Sequence, residues 1–153
     1  MTLDAVMALG ALLFVKHLLA DGPLQTAWHV ANKGVFGHPA GFAHAGTHAG
    51  LTAAAILLWS LALGVELGAA AGGLAFWAAL IAGEFATHYA IDLTKCRIDR
   101  RLKLSSKPAT ADGSYLHINH PLFFSAFLAD QTAHSLTYLA MLYLIASRAG
   151  LGG

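Results

Sequence analysis

Histidine and aspartate recur in this chain in pairs spaced by four. His17 precedes Asp21, His44 precedes His48, His88 precedes Asp92, and Asp130 precedes His134. On an α-helix that spacing stacks two side chains on one face. It is how a helix offers two donors to one metal ion, as the histidines of H-E-x-x-H sites do. The four pairs supply five imidazoles and three carboxylates, enough for two divalent ions in the manner of helix-bundle di-metal sites. Nitrogen and oxygen donors without thiolate suit Zn first, with Mn or Fe as alternatives. Haem would need single histidines opposed on two helices and leaves the carboxylates unexplained. The lone cysteine, Cys96, excludes an intrachain disulfide framework and a Cys-based zinc ribbon.

The neighbours of these pairs suggest what the metal would do. Two divalent ions lower the pKa of a shared water until it can attack phosphorus or carbon. Lys16 and Lys95 flank the pairs as cations for an anionic substrate, and Gln25, Asn32, Lys33 and Gln131 supply further donors. Glu84, one turn before His88, serves as a ligand, as the carboxylate that orients His88, or as a general base. The catalytic candidates are therefore Glu84, Lys95 and Lys16, although Lys16 also fits a side chain snorkelling to the interface. The expectation is a metal-dependent hydrolase acting on a phosphorylated or lipidic substrate. The alternatives are a divalent-metal transporter or sensor, a di-iron oxidase, and a non-enzymatic protein stapled by a structural metal. Transport requires polar residues across the whole bilayer, and stretches 53–63 and 136–146 offer little beyond Trp59, Ser60, Thr137 and the tyrosines Tyr138 and Tyr143.

The elements that carry the pairs are membrane helices. Of the 153 residues, 57% are hydrophobic and 11% charged, against about 25% charged in a soluble domain. Six of the nine basic residues fall between Lys95 and Lys107. Apolar runs predict an all-α, polytopic four-helix bundle forming one transmembrane domain over residues 1–153. The spans are about 3–21, 42–65, 74–93 and 122–146, with a short interfacial helix opened by Pro23 and a basic loop over 95–121. The polar pairs lie at the C-terminal ends of the first and third spans and the N-terminal ends of the second and fourth. An up-down bundle brings all four into one layer. The positive-inside rule places the basic loop, and with it that layer, at the cytoplasmic face and both termini outside. The start of the chain lacks the basic region of a signal peptide, so the first helix is expected to stay attached. A net charge of +1 gives no footing for nucleic acid. Gly64, Gly68, Gly72 and Gly83 permit close helix packing within the chain or between copies in a homo-oligomer.

The combined motifs resemble the domain-of-unknown-function 3307 family of small bacterial and phage integral membrane proteins. They are His17-Leu-Leu-Ala-Asp21 with Gln25, Asn32-Lys33, His44-x-x-x-His48, His88-x-x-x-Asp92-x-x-Lys95 and Asp130-Gln131-x-x-His134. The resemblance covers most of the chain and implies a multi-pass protein of the bacterial inner membrane, with no established activity. The chain also looks distantly like membrane-bound metal-dependent hydrolases with a helix-end layer of histidines and aspartates, a likeness at the level of fold. His29, His38, His117 and His120 fall outside the family pattern.

Overall fold

The structure, a computed structural model, describes residues 1–68, 73–104 and 121–151. It contains α1 (Leu3–Asp21), α2 (Ala27–Asn32), α3 (Pro39–Leu63), α4 (Leu74–Leu102) and α5 (Pro121–Arg148).

Local chemistry sets the boundaries. Thr2 caps α1 by accepting a hydrogen bond from the Ala5 amide, and Asp4 in the first turn suits the helix dipole. The short α2 starts at Ala27 rather than behind Pro23, because Thr26 and His29 form a reciprocal capping box there,. His38 caps α3 through the Ala40 amide at 3.1 Å, with Pro39 in the first turn,. Gly64 closes α3 in the left-handed conformation, φ 64°, so that glycine serves a cap and not a helix–helix contact. Helix α4 continues past residue 93 to Leu102, which takes Lys95, Arg97, Arg100 and Arg101 out of the expected loop. No glycine or proline interrupts the chain between Gly83 and Pro108. Lys95 pairs with Asp99 one turn on, at 2.8 Å, and Arg100 and Arg101 complement the helix C-terminus.

The four long helices form a ring. α1 packs against α3 and α5, α4 packs against the same two, and α2 lies on α3. Neighbours run antiparallel: the Trp59 indole of α3 donates to the Ala5 carbonyl of α1 at 2.6 Å. Trp59 meets Trp77 of α4, and Arg148 of α5 sits over Phe76 of α4. The architecture is thus all-α with five helices, not a plain four-helix bundle. Three helices, α1, α3 and α4, are long and apolar enough to cross a membrane. Helix α5 is less apolar, since its middle carries Asp130, Gln131, Thr132, His134, Ser135 and Thr137.

The interior is divided along its length. At the end holding the N-terminus of α1, Leu9, Leu13, Ile56, Trp59, Trp77, Tyr138, Met141 and Ile145 form an apolar core. At the opposite end the buried side chains are polar: Lys16, His17, His44, His48, Glu84, His88, Asp92 and His134. Large apolar side chains cover the outside, with Leu18 69% and Leu61 74% exposed. Apolar surface outside and ionisable groups inside is the arrangement lipid demands. The protein is a multi-pass membrane protein.

Candidate metal centre

Each helix contributes to the polar layer through the spacing of its own sequence. Asp21, at the end of α1, places Oδ1 3.1 Å from His44 Nε2 and 3.3 Å from His48 Nε2. Asp92 of α4 places Oδ2 3.3 Å from the same His44 nitrogen and 3.4 Å from His88 Nε2. His134 of α5 approaches Asp130 at 3.6 Å and Asp92 at 3.9 Å. The imidazoles pack directly, with centroids 3.6 Å apart for His48 and His88 and 4.3 Å for His88 and His134.

Two groups of donors converge closely enough to hold an ion. Asp21, His44, His48 and His88 form one; His88, Asp92 and His134 form the other; within each, the donor atoms lie within 4.8 Å of one another. Six of the eight expected ligands thus fall in two adjoining groups, and His88 belongs to both. The remaining two flank them. His17 Nε2 lies 3.2 Å from Asp21 Oδ2 and Nδ1 lies 3.0 Å from the Tyr138 hydroxyl. The Asp130 carboxylate accepts a hydrogen bond from Gln131 and faces His134.

The donor set fits a divalent cation. His88 Nε2, His134 Nε2 and Asp130 Oδ1 are buried and make no hydrogen bond among the described residues. Buried polar atoms without partners are costly, and a cation held by the second donor group would engage His88 and His134 together. Gln25 Nε2 and Lys33 Nζ both come within 3.2 Å of His44 Nε2. Lys33 also pairs with Asp92 at 3.0 Å. The segment containing α2 therefore reaches over the layer with one amide and one ammonium.

The other expected residues divide. Lys16 does not snorkel: it is buried, ion-pairs with Glu84, and donates to the His48 carbonyl at 3.3 Å. This pair forms the floor of the layer. Lys95 is not drawn into the histidine cluster but points to Asp99. Asn32 donates to the Trp28 carbonyl at 2.9 Å and makes no contact with the cluster. His29 caps α2, and its ring lies 5.6 Å from that of His44. Burial, reinforced by the charges of His44 and Lys33, lowers the His29 pKa. His38 is a helix cap, while His117 and His120 lie outside the described residues.

Two residues that border the layer lie outside the expected ligand set. Tyr138 follows His134 by one turn, and Thr52 follows His48 by one turn. Both are buried. Extending the four-residue spacing by a single step on α3 and α5 finds them.

The fold and the site together define a polytopic all-α membrane protein with two buried His/Asp clusters capable of coordinating metal. The chain belongs to the family described as Protein of unknown function (DUF3307), which matches residues 9–150. No curated protein and no solved structure matches it.

Proposed function

We propose that this protein is a membrane-embedded, metal-dependent hydrolase with a di-metal His/Asp site near the cytoplasmic face, acting on a phosphorylated or lipidic substrate. The observation that carries this reading is the pair of donor groups joined at His88, a geometry suited to two neighbouring ions. Bound there, divalent ions (Zn first, Mn or Fe next) would supply Lewis acidity and an activated water. His17, Asp21, His44, His48, His88, Asp92, Asp130 and His134 are the proposed ligand set. Lys33 and Gln25 stand over the layer as donors to an anionic group, with Gln131 holding His17 and Asp130 in place.

Glu84 is the proposed acceptor for the proton of the attacking water. Its Oε1 is held by Lys16 while Oε2 has no hydrogen-bond partner among the described residues. Attack of water on phosphorus breaks the P–O ester bond, and the leaving alkoxide regains a proton from the site. Lys95, being turned toward Asp99, is proposed to meet substrate at the margin and not at the reacting atoms. The proposed setting is the bacterial inner membrane, with α5 as a fourth crossing and both termini outside. The apolar core beyond the Lys16–Glu84 floor favours chemistry over transport, because among the described residues no polar path continues through it.

The test is elemental analysis of purified protein, followed by assay of phosphate release from phenyl phosphate and dodecyl phosphate with Zn, Mn or Fe. Bound metal with turnover that falls at least tenfold in Glu84→Gln supports the reading. Absence of both metal and turnover in all three preparations rejects it.

A further inference from the structure

The outer seam between α4 and α5 holds a groove of about 540 Å³, within the size range of small-ligand pockets. Its walls include Ile91 and Ile98 of α4 and Ala126 and Ala129 of α5, with four polar residues among the twelve described residues that line it. Among the described residues that line it none is aromatic, and a flexible aliphatic chain finds continuous hydrocarbon. The polar residues include one cation and one carboxylate, Lys95 and Asp130.

These two residues connect the groove to the metal centre. Asp130 places Oδ1 3.6 Å from His134 Nε2, so a ligand lying in the groove has its polar end at the edge of the donor cluster. Lys95 spends one of its three N–H donors on Asp99 and keeps two for an anion. The seam also opens on the outside of a helix apolar enough to cross the bilayer, where alkyl chains are the solvent.

We infer that the α4–α5 groove binds the alkyl chain of an amphiphilic monophosphate ester, with its phosphate between Lys95 and the metal centre. This rests on the hydrolase reading and narrows its substrate to a lipid phosphate. It also gives Lys95 a function, as a cation for the substrate head.

The experiment uses the full-length protein in detergent and a dodecyl phosphate carrying a diazirine at the chain end. The expected result is saturable photolabelling within residues 90–98 and 125–133, competed by dodecyl phosphate and not by dodecanol. Ala126→Trp and Ala129→Phe, which fill the groove, should each reduce labelling at least tenfold, while Ala86→Trp, on α4 outside the groove, should not. Metal content, measured on every variant, reports that the bundle remains folded. Labelling that does not saturate, or that spreads evenly over outward residues such as Leu58, Leu61 and Leu139, overturns the proposal. So does competition by dodecanol equal to that by dodecyl phosphate. Saturable labelling without phosphate release keeps the groove and removes the hydrolase. Release from phenyl phosphate without labelling does the reverse.

Discussion

The imidazole of His48 on α3 stacks on that of His88 on α4, with ring centroids 3.6 Å apart and planes inclined by 29°. This contact joins the two donor groups, because His48 belongs to the first while His88 belongs to both. The ligands are therefore not equivalent. Replacement of His134 should cost one ion per chain, replacement of His48 should cost the other, and His88→Ala should lose both. Metal-to-protein ratios by mass spectrometry measure this directly. Equal losses in all three variants would contradict the two-group geometry.

Lys16 and Glu84 form the most deeply buried ion pair, with side chains 5% and 1% exposed. Removing one partner leaves an uncompensated charge, so Lys16→Met alone or Glu84→Leu alone should destabilise the bundle by about 3–5 kcal/mol. The double variant should recover most of that loss. Unfolding in mixed micelles, compared across the four proteins, gives the coupling. A double variant no more stable than the singles would show that the pair is not isolated from the layer above it.

Tyr138 touches His17 from the apolar side, 3.0 Å from Nδ1, and edges against its ring. Tyr138→Phe removes the hydroxyl and keeps the packing. The expected stability loss is about 0.5–1.5 kcal/mol, with metal affinity reduced about tenfold or more, as for other groups that orient a ligand. Titration with a competing chelator reads the affinity, and an unchanged value would leave Tyr138 a packing residue.

Metal binding requires unprotonated imidazoles and charged carboxylates, so protons compete with the ion. Occupancy should fall as the pH is lowered and recover on return to neutral pH. Chelation should lower the melting temperature for the same reason. Free metal at 100 times its Kd should add about 2.7 kcal/mol of stability. A melting temperature indifferent to chelator and metal would rule out a stabilising ion at this layer.

The proposed orientation is open to labelling. In a Cys96→Ser background, Glu66→Cys should react with a membrane-impermeant thiol reagent from outside intact spheroplasts. Lys103→Cys should react only after lysis. The reverse pattern would invert the topology.

Much of this arrangement could be read from the sequence. Four-residue spacing put paired donors on one helix face, and the alternation of helix ends put the pairs in one layer. Charge composition marked the membrane. Other features depended on contacts the sequence does not display. The end of α4 was hidden because Lys95, Arg97, Arg100 and Arg101 look like a loop in a membrane chain. The Lys95–Asp99 pair shows them to be a solvated helical extension. The start of α2 depended on Thr26 and His29 capping each other, a stronger local signal than Pro23. The Lys16–Glu84 pairing joins residues 68 positions apart, and nothing in either helix alone selects that partner.

The apolar core at the α1 N-terminal end has an electrical consequence. A transmembrane voltage drops mainly across the low-dielectric, ion-free part of a membrane protein, where each 100 mV does about 2.3 kcal/mol of work on a unit charge. Leu9, Leu13, Ile56, Trp59, Met141 and Ile145 occupy that part, and the buried charged and imidazole side chains are gathered beyond it. The donor layer therefore sits near the potential of the compartment it opens to. On the proposed metal reading, ion loading would follow the free-metal pool of that one compartment and would not respond to the transmembrane voltage.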